Sequence, residues 1–395
     1  MIRLERRLET PRWLGVVIPL ASVLVALLVA GVVLLASGHS PVEVYRSMIE
    51  AAFTAPGAFS ATLVSATPLV LTGLCAALAF RMRVYNIGGE GQLYMGALGA
   101  SAVGLALGGL PGPVVILAMI LAGMAAGSVW AAIPGLLRTY ANTNEILTTL
   151  MLNYVAGLLG YYLIFDSNSF WRDTTSPSAK VFPQGKTLAD STSWPAFHLG
   201  AVTVPLGFVL GVVLAAVMFV VLRSTKSGFQ LRVIAGSDRA GRYAGMRTKR
   251  AIVLVMLGSG ALAGLAGASQ VGDFSHLFDP SGLQQVSYGY TGIVVAALVA
   301  FEPLPLVLAA ILLGGLINAG FTLQGATFPQ GLVGMIEGIL LLCVLCGSLF
   351  GRFRIRMRPA AAGAARTPGD RGSAGEDRPL VEEQEIPILA SGSEP

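Results

Sequence analysis

The sequence carries little charge. Asp, Glu, Lys and Arg make up only 12% of its 395 residues, whereas a soluble domain typically contains about 25%. Hydrophobic residues account for 54%, and they occur in long uninterrupted runs. This composition argues against a water-soluble globular domain, and also against a disordered chain, which is poor in apolar residues. The sequence predicts an integral membrane protein.

Residues that commonly perform catalysis or bind metals are also scarce. The chain has three His and three Cys, with no metal-ligand spacing among them. The Cys343 and Cys346 pair lies inside an apolar run, where packing is the simpler role. No Gly-x-x-x-x-Gly-Lys-Ser/Thr motif is present, so the chain lacks the usual cradle for ATP phosphates. We therefore expect no enzyme activity, no metal and no cofactor bound by this chain.

Apolar runs long enough to cross a bilayer dominate the sequence. A transmembrane helix needs about 20 apolar residues to cross about 30 Å of hydrocarbon. The sequence predicts an all-α, polytopic membrane helix bundle with about ten transmembrane helices, of which the eighth and ninth are short enough to be kinked or partial. The predicted spans are residues 13–36, 60–80, 92–108, 113–137, 145–165, 201–222, 251–271, 287–301, 305–321 and 331–350.

Basic residues accumulate beside alternate spans, and this sets the predicted orientation because cytoplasmic loops carry the excess of Lys and Arg. Segment 1–12 contains four Arg, and segment 223–250 contains eight basic residues against one acid. Both termini are predicted to be cytoplasmic, on either side of a transmembrane domain over residues 13–350. No aromatic-interleaved basic groove accompanies these clusters, so they indicate membrane topology and no nucleic-acid partner.

Two segments outside the spans are long. Loop 166–200 is polar, is predicted to be external, and is too long for a simple connector. It covers an extracytoplasmic mouth, receives a partner, or is a loose surface insertion, and its pattern does not choose between these. Residues 351–395 form a basic segment followed by an acidic tail rich in Ala, Gly and Pro. That composition predicts a disordered cytoplasmic tail.

Polar residues and glycines cluster between the second and third predicted spans. Asn86, Glu90 and Gln92 lie there among three glycines, in the stretch NIGGEGQ. Clustered glycine breaks a helix, and irregular backbone at membrane depth is tolerated where it is buried in protein or lines a watery path. One interpretation places these side chains, with the nearby Tyr94, beside a substrate pathway. The other is a plain cytoplasmic turn flanked by arginines.

The basic segment between the sixth and seventh predicted spans has helical character. Its apolar positions predict two short helices broken near Gly236, with Ser237 or Asp238 capping the second. A short cytoplasmic helix pair with a compact apolar face suits docking into a groove on a partner. The alternative is a basic loop that lies on anionic lipid.

Among the polar residues inside predicted spans, where burial without a partner is costly, we single out three. Asn153, Asn318 and Glu337 fall in spans five, nine and ten. Each either contacts substrate or forms interhelical hydrogen bonds, and the second role is favoured for the two asparagines. The Gly- and Ala-rich stretch 288–320 indicates close helix packing, with Glu302 in a cytoplasmic turn.

Four stretches resemble the permease subunits of ABC importers, in the family that also holds ribose-type and branched-chain amino acid permeases, and within it the nucleoside-uptake branch. The Asn-Ile-Gly-x-Glu-Gly-Gln and Asn-Glu-Ile-Leu-Thr-Thr-Leu-Met-Leu-Asn-Tyr motifs are the more specific parts. The resemblance covers about residues 10–350. The stretches are FRMRVYNIGGEGQLYMGALGA, YANTNEILTTLMLNYVAG, SGFQLRVIAGSDRAGRYAGM and YGYTGIVVAALVAFEPLPLVLAAILLGGLINAG.

The resemblance implies a multi-pass protein of the bacterial plasma membrane that translocates nucleosides or related ribose-containing solutes. It implies cytoplasmic ABC ATPase subunits that bind ATP and Mg²⁺, a second permease that is another copy or a related chain, and an external substrate-binding lipoprotein. Our candidate pathway residues are Asn86, Glu90, Gln92, Tyr94, Asn153 and Glu337. The first three fall on the family's glycine-rich motif beside the pathway.

By the same resemblance, segment 223–250 is the coupling element through which such permeases contact their ATPases. The residues that would form this contact are Gly228, Leu231, Arg232, Ala235, Gly236, Tyr243, Ala244 and Gly245. Two other functions stay open. One is a secondary transporter driven by an ion gradient, with Glu337 or Glu90 as proton carrier. The other is a scaffold without transport activity that uses loop 166–200 and the tail. The coupling-like segment argues against both.

Overall fold

The protein is predominantly helical in the part of the chain that its structure, a computed structural model, describes. Glu337 lies outside the described residues, as do the acidic tail after Met357 and most of the tenth predicted span. The described residues are 2–6, 14–323, 334–336, 338–339, 342–343, 346–347 and 353–357.

The helices follow one another with short connections, apart from one long loop. In chain order they are α1 Leu14–Ala36, α2 Pro41–Ile49, α3 Ala58–Arg81, α4 Gly89–Leu107, α5 Gly112–Ala141, α6 Glu145–Tyr161, α7 Pro177–Val181, α8 Leu206–Ser224, α9 Lys226–Gly236, α10 Asp238–Tyr243, α11 Thr248–Ser269, α12 Pro280–Val286, α13 Tyr288–Leu298 and α14 Pro303–Leu323. Short π-helical turns follow three of them, at Glu50–Thr54, Tyr162–Asp166 and Gln270–Ser275.

Each of the first nine predicted spans coincides with a helix or a helix pair. Among the described residues, six helices are long and apolar enough to cross a membrane: α3, α5, α6 with its π turn, α8, α11 with its π turn, and α14. The sixth span begins at Leu206 rather than at residue 201, because Val202–Pro205 forms a strand. A membrane helix bundle is thus confirmed, whereas the total of about ten spans and the cytoplasmic termini remain predictions.

The eighth predicted span, residues 287–301, contains only the short helix α13, and the separate short helix α12 directly precedes it. Helices α12 and α13 have 7 and 11 residues, well short of the about 20 that cross a bilayer. They are separated at Ser287, whose backbone is left-handed with φ 53°. The Thr72 hydroxyl, nine residues before the end of α3, donates to the Tyr288 carbonyl at 3.0 Å. Since nine residues of helix rise about 13 Å, the break lies well inside the bundle.

Helices α4, α5 and α11 form a closely packed group. A Cβ added at Gly96 would lie 2.2 Å from the Gly264 carbonyl oxygen, and one at Gly127 would lie 2.3 Å from that of Gly260. Such backbone-to-backbone contact is how small residues drive helix association in lipid, where hydrophobic burial gives no advantage. The group provides a rigid wall for the more irregular segments beside it.

The loop over residues 166–200 is packed onto the ends of α4 and α11. Trp194 is 6% exposed, and its backbone N–H donates to the Gly272 carbonyl at 3.0 Å. The Trp171 indole donates to the Leu98 carbonyl at 3.3 Å. An antiparallel hairpin of strands β2 (Ala196–Leu199) and β3 (Val202–Pro205) leads into α8. These contacts favour a cover over the helix ends and argue against a loose insertion. We call this end of the bundle the loop end.

The two terminal segments contain strands that the sequence pattern did not predict. Strand β1 (Ile2–Arg6) and strand β4 (Phe353–Met357) form a two-stranded sheet. Strand β1 and most of β4 belong to a unit separate from the helical bundle.

Candidate functional site

Two amide side chains form a reciprocal pair at the start of α4. Asn86 donates to the Gln92 side-chain oxygen at 3.0 Å, and Gln92 donates back at 2.9 Å. Asn86 also donates to the Ser259 hydroxyl at 2.8 Å and accepts the Gly88 N–H at 3.0 Å. Both amides are 1% exposed. The pair therefore ties the loop before α4 to α11.

The side chain of Glu90, a residue of α4, lies against the first backbone N–H groups of helix α13. Its carboxylate accepts the backbone N–H of Gly289 at 2.6 Å and that of Tyr290. The first N–H groups of a helix have no partner within it, and a carboxylate there is favoured by the helix dipole. A Cβ at Gly289 would lie 2.2 Å from the Glu90 backbone nitrogen, so the two helices approach as closely as glycine allows.

Asn153 and Tyr94 join further elements to the same place. The Asn153 amide oxygen accepts the Gly91 N–H at 2.8 Å, and its nitrogen donates to the Ile87 carbonyl at 2.9 Å. The Tyr94 hydroxyl donates to the Pro280 carbonyl, at the start of α12, at 3.1 Å. Helices α4, α6, α11, α12 and α13 are thus linked through polar side chains.

Five of the six candidate pathway residues are brought together by the structure, and we call these five the polar layer: Asn86, Glu90, Gln92, Tyr94 and Asn153. Asn86 is also 3.8 Å from the sulfur of Cys75, six residues or about 9 Å before the end of α3. The layer is therefore buried and is not a surface turn. Each member hydrogen-bonds with protein groups, while direct contact with substrate stays a prediction.

Asn318 has the interhelical role that the sequence favoured. Its amide nitrogen donates to the Ala51 carbonyl at 3.1 Å, to the Ala58 carbonyl at 3.3 Å and to the Thr62 hydroxyl at 3.3 Å. These bonds fasten α14 to the π turn after α2 and to the start of α3.

A cavity of about 240 Å³ lies at the α12–α13 break, on the side away from the polar layer. It is bounded by the π turn Gln270–Ser275, helix α12, the start of α13 and the last turn of α14. None of the five residues of the polar layer lines it. Its wall includes Gln270, Phe274, Asp279, Gln285, Tyr288 and Phe321. The sequence signal that could have found it is the short eighth span, since a broken helix at membrane depth lines a cavity.

The predicted pair of short helices is confirmed at the opposite end of the bundle, which we call the coupling end. Helix α9 begins after Thr225, whose hydroxyl accepts the Gly228 N–H at 3.3 Å. Helix α10 begins after Ser237, whose hydroxyl accepts the Ala240 N–H at 3.2 Å. Ile234 is buried and packs with residues of α3 and α11. The pair is therefore held on the bundle by an apolar face.

The eight predicted coupling residues divide by exposure. Gly228 and Leu231 face the bundle: a Cβ at Gly228 would lie 2.4 Å from the Leu222 carbonyl oxygen, and Leu231 is half-buried against the core. Ala235 is half-buried. The exposed members are Arg232, Gly236, Tyr243, Ala244 and Gly245. Tyr243 is 99% exposed, so the pair presents a large aromatic side chain to its surroundings.

An ion cluster connects the helix pair to α13. Glu302, in the turn after α13, lies 2.6 Å from the Arg81 guanidinium and 3.5 Å from that of Arg223. Arg81 also donates to the Phe301 carbonyl at 3.0 Å. Arg223 lies at the end of α8, directly before α9. The cluster therefore joins α3, α8 and the α13–α14 turn where the helix pair begins.

Two charged side chains of helix α10 pair with each other within one helical turn. Arg242 hydrogen-bonds Asp238 across one turn of α10, and this bond holds the pKa of the Asp238 carboxyl below its ordinary value. Within the described ranges, no group of three His, Cys, Asp or Glu side chains could hold a metal ion. The geometry offers hydrogen-bonding and ionic contacts rather than a reaction centre.

Residues 58–345 match the family model described as branched-chain amino acid transport system / permease component. The chain belongs to this permease family. It is a transport subunit and not an enzyme.

Three curated relatives match over most of the chain. The glucose ABC transporter permease protein TsgB13 of Haloferax volcanii is 32% identical over 90% of this chain and 93% of its own. The guanosine ABC transporter permease protein NupP of Bacillus subtilis is 31% identical over 83% and 92%. The nucleoside ABC transporter permease protein NupB of Lactococcus lactis is 26% identical over 83% and 90%. No solved structure matches the chain at a significant level.

Proposed function

We propose that this permease is the membrane subunit of an ABC importer that carries nucleosides across the plasma membrane of a bacterial cell. The observation that carries the proposal is the packed helix pair α9–α10 with its exposed outer face. A member of an ABC permease family whose ATPase is a separate subunit is driven through contact with that subunit, and the exposed face of the pair is available for such a contact. The relatives named for guanosine and for nucleosides supply the substrate class.

The proposed assembly contains a second permease, either a copy or a related chain, with cytoplasmic ABC ATPase subunits that bind ATP and Mg²⁺. An external substrate-binding lipoprotein delivers the solute at the loop end. About ten spans then place both termini in the cytoplasm. The pairing of β1 with β4 supports an even number, because chain ends that share a sheet lie on one side of the membrane.

The ATPase contact would be made by the exposed coupling residues, with Tyr243 inserted in a groove of the partner. Ala235 borders this surface, whereas Gly228 and Leu231 fix the pair on the bundle. Movement of the pair reaches α13 through Arg223 and Glu302. The polar layer holds the other end of α13, so the bundle converts a cytoplasmic displacement into alternating access.

A second substrate class is favoured by one observation. The relative named for glucose is 32% identical over 90% of this chain, which supports a sugar as strongly as the other relatives support a nucleoside. Uptake of radiolabelled guanosine and of radiolabelled glucose, measured in a strain that lacks the transporter, decides between them.

Replacing Gly236 tests the coupling role. Gly236 is exposed, and a Cβ added there meets nothing within 4 Å, so Gly236→Trp leaves the fold intact and obstructs the docking surface. We expect uptake and transport-stimulated ATP hydrolysis to be lost while the amount of permease in the membrane is unchanged.

The matched control is Gly157→Trp, a glycine within α6 where an added Cβ also meets nothing within 4 Å and which belongs to neither proposed docking end, so this variant should keep wild-type uptake. Normal transport by Gly236→Trp would contradict the docking role. Labelling of Tyr243→Cys by a membrane-impermeant reagent from outside intact cells would contradict the orientation as well.

A further inference from the structure

The cavity at the α12–α13 break is lined by the side-chain amide of Gln270. The residue as a whole is 6% exposed, and in the part of the chain that the structure describes no group hydrogen-bonds with its side chain. Its amide atoms are not sealed inside the protein but open to the cavity. Their donors and acceptor are therefore available to a molecule that enters the cavity.

The cavity also has exposed aromatic walls. Phe274 on the π turn is 60% exposed, and Phe321 on the last turn of α14 is 44% exposed. Both line the same space as Gln270. Flat apolar rings beside a hydrogen-bonding amide suit a ligand with a planar face and a polar edge. Aromatic side chains stack on nucleobases without regard to sequence because every base has a π face.

A second amide completes the polar lining. Gln285 is exposed, lies in the last turn of α12, and faces the cavity. Its neighbour Gln284 points elsewhere, because the Tyr161 hydroxyl donates to its side-chain oxygen at 2.6 Å. A glutamine amide offers one acceptor and two donors, which matches the paired donors and acceptors on the edge of a purine.

The size and position of the cavity fit a transport site. Its volume of about 240 Å³ is just below the range of about 300–1,000 Å³ of pockets that bury most of a small ligand, so part of a bound solute would stay outside it. It lies beside the break between two short helices, and broken helices line the substrate sites of many transporters. Tyr288, in its wall, is the first residue of α13 and therefore adjoins the polar layer.

We propose that the transported nucleoside binds in this cavity, with its base against Phe274 and Phe321 and its polar edge on Gln270 and Gln285. The polar layer, on the other side of α13, does not bind it. This inference rests on the proposed function, and it assigns the substrate to residues that the sequence pattern did not single out.

The test uses the complete importer, with its ATPases and lipoprotein, in a strain that lacks the native system. Gln270→Leu and Gln285→Leu each remove the proposed hydrogen bond to the nucleoside while keeping a side chain of similar size. Each should raise the KM for labelled guanosine about ten-fold. Maximal uptake should change little. Gln284→Leu, one residue away and outside the cavity, should keep the wild-type KM.

A second measurement guards against variants that fold poorly. In a background without native cysteines, Gln285→Cys should react with a small methanethiosulfonate reagent, and saturating guanosine should slow the reaction. Gln284→Cys should react at the same rate with and without guanosine. The comparison of these two cysteine variants tests whether guanosine binds in the cavity without relying on uptake.

The outcomes separate the two proposals. If the wild-type importer takes up guanosine, an unchanged KM in both leucine variants or absence of protection at residue 285 overturns the cavity site alone. If the wild-type importer takes up glucose and no guanosine, the nucleoside function fails, and the assignment of the cavity to a nucleoside fails with it.

Discussion

The polar layer and the cavity lie on opposite sides of the start of helix α13, and they treat polar side chains differently. In the layer, Asn86, Glu90, Gln92 and Asn153 have protein partners at 2.6–3.0 Å. In the cavity, the Gln270 amide has none among the described residues. The first arrangement holds helices together, and the second is available to a solute.

The difference shows that polarity within a membrane bundle has two uses that only partners distinguish. Lipid offers no hydrogen bonds, so a polar side chain must find them in protein, in water or in a ligand. Side chains whose hydrogen bonds are all made within the protein contribute to stability, whereas an amide that faces a cavity can hydrogen-bond with a solute. Substitutions should therefore separate stability from uptake.

The largest expected effect is on stability, from Glu90→Ala. The change leaves the N–H groups of Gly289 and Tyr290 without their acceptor in a buried position. We expect a loss of about 3 kcal/mol in the free energy of unfolding, measured as a lower midpoint of thermal unfolding in detergent micelles.

Thermal unfolding of Gln270→Leu in the same detergent tests the cavity against the polar layer. This change removes no hydrogen bond to a described residue, so the free energy of unfolding should change by less than about 1 kcal/mol. Equal losses in the two variants would show that the layer and the cavity do not differ in the way described.

An intermediate effect is expected on coupling, from Arg223→Ala. The Arg223–Glu302 pair is partly exposed, so it adds less than about 1 kcal/mol to stability, but it joins the helix pair to α13. Uptake per ATP hydrolysed in proteoliposomes should fall about three-fold. Arg46→Ala, an exposed arginine at the loop end, is the control. A ratio unchanged by Arg223→Ala would rule out this route of transmission.

The smallest expected effect concerns pH and helix α10. The Arg242 hydrogen bond lowers the pKa of Asp238, so the ionised carboxylate stabilises the folded helix above its unfolded-state pKa, and this contribution disappears as pH falls through the folded-state pKa. The pair is largely exposed, which limits the contribution to about 0.5 kcal/mol. Asp238→Asn should speed amide exchange in α10 slightly at neutral pH.

Below the folded-state pKa of Asp238, the wild type and Asp238→Asn should exchange at equal rates. If the amide exchange rates of the two proteins still differed in acid, the effect of Asp238→Asn on α10 would have a cause other than this ion pair.

Much of the fold follows from the sequence because apolar runs, helix caps and breaks act locally. The spans and the α9–α10 pair, with Ser237 as its cap, were predicted from such patterns. The strand Val202–Pro205 was not, because a short apolar stretch beside a span has no period of its own. The pairing of β1 with β4 joins residues some 350 positions apart, which no local pattern encodes.

The site was predicted less well, for a physical reason. Clustered glycine and polar residues drew attention to Asn86, Glu90 and Gln92, and the structure does bring them together. Sequence cannot show, however, that these residues hydrogen-bond with one another, or that Gln270 has no hydrogen-bond partner among the described residues. Those facts depend on how α4, α11 and α13 meet in space. Gln270 and Gln285 looked like ordinary polar residues at the ends of helices.

Helix α13 is only 11 residues long, or about 16 Å, and it extends from Tyr288 at the cavity toward the turn that contains Glu302. Under the proposed cavity and coupling roles, substrate binding and ATPase contact would act on opposite ends of this one helix. Linked equilibria are reciprocal, so substrate bound in the cavity should then change the affinity of the permease for its ATPase subunits by the same factor by which ATPase binding changes its affinity for substrate.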